Sequence, residues 1–183
     1  MSPNRLILLL VAVIFAPDVS ARIVTREEAL RVAFPGAEIR YAPIFLTEQE
    51  MKDISKTSGT NPSTALIARY LAIQNAAEVG RGYLDTHVVR TKKESLLIIL
   101  NPEGKVRRVE VVVFLEPPEY IPPDRWYQQF EGKSLTDGLR VEGEIHSVTG
   151  ASLTAQATTD AVRRILAIDQ MIRKKEMKQE NQK

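Results

Sequence analysis

The sequence predicts an α+β fold: a mainly antiparallel β-sheet with helices packed on it and a C-terminal helix following a loop of small residues. Three observations predict it. Apolar periodicity changes from helical to extended at Ala65, the connections between the extended segments are short, and Ala161, Ile165, Ile168 and Ile172 recur at helical spacing near the end. With 183 residues, 44% of them hydrophobic and 26% charged, the chain suffices for one ordinary domain with a genuine core.

The N-terminus reads as a targeting segment. Arg5 supplies positive charge, Leu6 to Ala16 is apolar throughout, Pro17 breaks the run, and Val19-Ser20-Ala21 has the small-residue pattern of a signal-peptidase site. Cleavage is expected after Ala21. A spanning helix needs roughly 20 apolar residues, so the run is short for a membrane anchor; an uncleaved N-terminal segment that associates the protein with the membrane is the alternative.

Residues 22–64 form an N-terminal helical segment. Thr25-Arg26-Glu27-Glu28 has the form of a capping box, and Leu30, Ala33 and Phe34 follow at helical spacing until Pro35-Gly36 stops them. Ile39 to Phe45 is a short extended stretch interrupted by Pro43. A second capping box, Thr47-Glu48-Gln49-Glu50, opens a helix with Met51 and Ile54 on one face, closed by Ser58-Gly59.

Four strands are expected at Ala65–Gln74, Gly82–Thr91, Ser95–Leu100 and Lys105–Leu115. Asn101-Pro102-Glu103-Gly104 fits a type I turn, because proline presets φ at its second position and the Asx side chain bonds the backbone. Val106, Val109, Val111, Val112, Val113 and Phe114 mark the last strand for the centre of the sheet. Four prolines in Glu116 to Pro123 make a stiff loop. Asp124 is placed to cap a short helix bearing Trp126, Tyr127 and Phe130, and Leu139–Ile145 offers one more short strand. In the C-terminal helix Asp160, Arg163 and Arg164 are assigned to solvent or ligand. Residues 173–183 form a charged tail, read as a frayed helix end.

Composition narrows the function. There is no cysteine, which excludes disulfides, thiolate metal sites, c-type haem attachment and a lipid anchor on cysteine, and favours a flavin or another organic cofactor as any redox group. The net charge of +2, without a basic stripe interleaved with aromatics, argues against nucleic acid as a partner. His87 and His146 are the only histidines, have no metal-ligand spacing, and read as surface or strand-end residues.

The chemistry concentrates between His146 and Thr159. Thr149, Gly150, Ala151, Ser152 and Thr154 offer hydroxyls and backbone N–H groups with little bulk, so a flat ligand has close access to the main chain. The helix that follows directs its free N–H groups and positive dipole end at this loop, which suits a phosphate. A plain helix cap is the competing role for Thr154 and for Ser152.

Thr149-Gly150-Ala151-Ser152-Leu153-Thr154, followed by Asp160-Ala161-Val162-Arg163-Arg164, resembles the FMN-binding domain family, which includes flavinylated subunits of the sodium-pumping NADH:quinone oxidoreductase and the Rnf complex. The family motif is Asp-x-x-Ser/Thr-Gly-Ala-Thr/Ser-x-Thr. The similarity extends upstream through Asn101–Val113, the Glu116-Pro117 loop and Trp126–Lys133, about the C-terminal half of the chain. It departs at His146, where the family has an acidic residue, and in the missing glycine-rich continuation after Glu116, as in a divergent, soluble branch.

The resemblance implies an FMN-binding domain over residues 65–172. Thr154 would be joined to FMN through a phosphoester, made by an exported flavin transferase that uses FAD. Thr149, Gly150, Ala151, Ser152 and Leu153 would wrap the cofactor, and Glu116, Tyr120 and Trp126 would approach its ring. The protein would then be an extracytoplasmic electron carrier, serving membrane or extracytoplasmic redox partners, rather than a self-contained enzyme. Reversible FMN binding, or a non-redox binding or sensory module of the same fold, are the alternatives.

Overall fold

The structure, a computed structural model, describes residues 23–182; the expected signal segment, 1–21, lies outside the described residues. Helix α1 (Arg26–Ala33) starts where the Thr25 hydroxyl accepts from the Glu28 N–H at 3.1 Å. Strands β1 (Glu38–Tyr41) and β2 (Ile44–Phe45) both pair with one edge of β3 (Leu66–Gln74), and Pro43 explains the gap between them because it has no N–H to donate. The N-terminal segment therefore contributes to the sheet as well as supplying helices. Helix α2 (Glu48–Ser58) has a complete Thr47/Glu50 capping box and ends at Gly59 in the left-handed region.

Strands β4 (Ala77–Val88), β5 (Lys93–Leu100) and β6 (Val106–Phe114) complete an antiparallel sheet of order β1-β3-β4-β5-β6. The β3–β4 turn consists of Asn75 and Ala76, both at positive φ, so β4 begins five residues before the start expected from sequence. Its backbone is that of a two-residue hairpin, but it lacks the usual glycine signal. The Asn101–Gly104 turn is as expected: the Gly104 N–H donates to the Asn101 carbonyl at 3.0 Å and the Lys105 N–H to Asn101 Oδ1 at 2.8 Å.

Two expectations about this region are corrected. The valine-rich strand is not central: β6 ends the sheet, and exposed Arg107 and Arg108 interrupt its apolar run. Its outer edge is bonded instead by the Val24 N–H at Val111 and by reciprocal contacts of Val106 with Gly132 and Lys133. Leu139–Ile145 is not a strand. Glu142 takes a positive φ and the backbone bonds of Arg140, Glu142 and Ile145 close within the segment, leaving a single bridge between Val141 and Ile145.

The core lies on both sheet faces. Leu97 and Ile99 meet Leu30 of α1 and Phe34 just after it on one side. On the other, Leu96, Ile98 and Leu100 meet Ile165, Ile168 and the aromatic residues of α3 (Asp124–Tyr127) and the 3-10 turn after it. Asp124 does not cap α3; it is the first helical residue, after Pro123. The last helix, α4 (Ser152–Glu180), continues through the expected tail rather than fraying at Ile172, and Glu176 reaches Arg69 of β3 at 3.0 Å. No helix among the described residues is long and apolar enough to cross a membrane.

Candidate functional site

Helix α4 starts inside the threonine motif. Gly150 turns the chain at φ +87°, a left-handed conformation that glycine adopts without a Cβ penalty, and Ala151 becomes the N-cap. Ser152, Leu153 and Thr154 are consequently the first helical turn and not part of the preceding loop. Neither hydroxyl caps the helix: Ser152 Oγ reaches back to the Val148 carbonyl at 3.5 Å, and Thr154 Oγ1 donates to the Tyr120 carbonyl at 2.8 Å. The helical ladder begins with the Ala155 N–H at the Ala151 carbonyl, 2.9 Å away, so the amides of residues 152–154 precede the first intrahelical bond. An uncapped helix start with its dipole intact favours an anion.

Around this start lies an open cleft of about 250 Å³, lined by Arg90, Tyr120, Gly150, Ala151 and the Ser152–Thr154 turn. A Cβ built on Gly150 meets nothing within 4 Å, so the main chain is approachable there. Thr149 is exposed on the turn just before it. The β4–β5 hairpin brings in Arg90, a residue that sequence reasoning did not single out, and its guanidinium lies 5.0 Å from the centroid of the Tyr120 ring.

Glu116 sits behind this arrangement. Its Oε1 accepts from the backbone N–H groups of Arg90, Thr91 and Lys92 at 3.1, 2.7 and 2.8 Å, and these bonds, led by Thr91 and Lys92, hold its carboxyl below the usual range. The residue thus fixes the hairpin tip. Trp126 is core: its ring packs edge-on to Tyr127 and Phe130, its Nε1 donates to the His146 carbonyl at 2.7 Å, and it borders a separate cleft with Arg125 and His146. Of the three residues expected near a flavin ring, only Tyr120 lines the Thr154 cleft.

Arg163 and Arg164 of α4 face the body of the protein, contrary to the sequence expectation. Arg163 donates to the carbonyls of Ser58, Thr136 and Leu139. Arg164 is buried and pairs with Asp85, Nε to Oδ2 at 2.9 Å and Nη2 to Oδ1 at 2.7 Å. A second pair, Arg81 with Asp169, is supplemented by the Tyr83 hydroxyl at 2.9 Å from Asp169. Both pairs join β4 to α4 and so set the position of the helix start.

His146 is exposed, and His87 stands at the end of β4, as expected of a strand-end residue, but its side chain is turned away from solvent. It lies between Asp85 (2.9 Å) and Glu94 (3.0 Å), and Glu94 is also 3.4 Å from the Thr158 hydroxyl, one turn beyond Thr154. Burial alone lowers the His87 pKa, but the two carboxylates outweigh it and raise the value to about 9. Burial pushes Glu94 up, partly offset by His87; Asp85 is held down because His87 and Arg164 outweigh its burial. No group of acidic residues or histidines among the described residues is arranged to hold a metal ion.

No family model matches this chain, and no curated protein or solved structure matches it. The likeness to the FMN-binding family thus rests on the residues quoted for it.

Proposed function

We propose that this protein is an extracytoplasmic electron carrier that holds FMN through a phosphoester to Thr154. One observation carries the reading: the motif threonine lies at an uncapped helix start, in a cleft that also contains a guanidinium and a glycine open to approach. These residues fit a phosphate. Backbone amides of residues 152–154 and the dipole of α4 favour its charge, and Arg90 supplies a cation. The Gly150 turn admits the ligand close to the backbone, and Tyr120 offers an aromatic face beside it.

When bound, FMN supplies one- or two-electron redox chemistry, while the chain tethers and orients it. Attachment calls for an exported flavin transferase that draws on FAD, and use of the carrier calls for membrane or extracytoplasmic redox partners. Reversible FMN binding is the second reading. It is favoured by the seclusion of the Thr154 hydroxyl, which is already engaged by Tyr120.

The test is export in a host that has the transferase, followed by intact-mass analysis. Covalent attachment predicts yellow colour that survives denaturation and a mass increment of FMN less water, both lost in Thr154→Ala. Colour that washes out on denaturation identifies reversible binding. A colourless protein of unmodified mass rejects both in favour of a non-redox module.

A further inference from the structure

Thr154 is 1% exposed, so the hydroxyl proposed for attachment is shut away from any transferase in this conformation. What covers it is specific. The Tyr120 carbonyl accepts its proton at 2.8 Å, and Tyr120 ends a 3-10 turn, Pro118–Tyr120, within the stiff loop containing Pro117, Pro118, Pro122 and Pro123. The Arg90 guanidinium lies against the Tyr120 ring, and its charge also acts on the nearby Glu116 carboxylate. Glu116, at the base of the loop, holds the Arg90 hairpin tip through three backbone bonds, so loop and tip are joined at one residue.

Esterification changes the chemistry of that contact. The Thr154 Oγ–P bond forms, the pyrophosphate P–O bond of FAD breaks, AMP leaves, and the hydroxyl proton is released to solvent. An ester oxygen has no hydrogen to donate, so two acceptors would then face each other where a donor met a carbonyl. The phosphodiester also brings one negative charge and considerable bulk to a position that now has almost no exposed surface.

We propose that Tyr120 and Arg90 form a latch over Thr154, that attachment of FMN releases it, and that Arg90 moves from the Tyr120 ring to the phosphodiester. The proposal rests on Thr154 being the attachment site. Unmodified protein is the latched state; modified protein has the proline loop displaced and the guanidinium paired with phosphate, the stronger partner for a cation in a half-open cleft.

Amide exchange followed by NMR tests it on protein exported with and without the transferase. The Tyr120 and Ile121 amides donate to the Pro117 and Pro118 carbonyls in the latched loop and report on it directly. Attachment should speed their exchange at least fivefold and leave the Leu96–Leu100 amides of β5 unchanged. In modified protein the ³¹P resonance of the phosphodiester should move in Arg90→Gln and largely recover in Arg90→Lys. Flavin attached with Tyr120 and Ile121 exchange unaltered, or a ³¹P resonance indifferent to Arg90→Gln, overturns the latch alone. Absence of the flavin mass increment removes the attachment and the latch together.

Discussion

Arg164 of α4 and Asp85 of β4 meet in a two-pronged pair, with N–O distances of 2.9 and 2.7 Å, and both side chains are buried. Such a pair fixes position more than it adds stability, since desolvation offsets much of the attraction. Removing one partner is another matter, because it strands a buried charge. Asp85→Ala should lower unfolding free energy by about 3–5 kcal/mol in urea titration, whereas Asp85→Asn, which keeps one acceptor, should cost less. Equal losses for the two would show that the charge on Asp85 is immaterial.

The His87 bridge predicts a pH dependence. Its folded pKa of about 9 lies above its ordinary value of 6.5, so its contribution is complete below pH 6.5 and is lost as pH rises through 9. Applied to that difference, the linkage relation sets an upper bound of roughly 3–4 kcal/mol. Wild-type stability should fall between pH 6.5 and 9.5, and His87→Gln should flatten the decline. A histidine ring that titrates near 6.5 by NMR would refute the bridge.

Two buried tyrosines should respond in opposite ways. Tyr83 donates to Asp169, so Tyr83→Phe deprives a buried carboxylate of a partner and should cost about 1–3 kcal/mol. The Tyr127 hydroxyl is buried without a hydrogen-bond partner among the described residues, so Tyr127→Phe should be neutral or slightly stabilising. Thermal melts of the two variants decide this, and a large loss in Tyr127→Phe would reveal a partner for that hydroxyl, such as a bridging water.

Glu116→Ala removes the common acceptor of three backbone N–H groups. Exchange at Arg90, Thr91 and Lys92 should accelerate at least tenfold, with a stability loss of about 1–3 kcal/mol because those amides lose their bonds. Unchanged protection of the tip would mean that the hairpin holds itself.

Much of this architecture was legible in the sequence because its signals are local. The Thr47/Glu50 box, the Asn101–Gly104 turn and the period of Ala161, Ile165, Ile168 and Ile172 each specify their element within a few residues. Tertiary placement was not local. The rank of β6 in the sheet depends on what pairs beside it, and Leu139–Ile145 carries strand-like residues through a chain reversal. At the site, Gly150 to Thr154 stood out, but Arg90 approaches from a hairpin 60 residues earlier by number. Arg164 carried a signal that charge obscured: it lies three residues after Ala161 and four before Ile168, on the buried face of the helix.

The treatment of the sheet margins has a consequence for solubility. A bare strand edge offers rows of unpaired amides and carbonyls to any neighbouring chain, a common beginning of fibrous aggregates. Here one margin is occupied by the chain's own Val24, Gly132 and Lys133, and the other is a four-residue strand bearing Glu38 and Arg40. The valine-rich β6 can thus lie at the border of the sheet without serving as a template for growth.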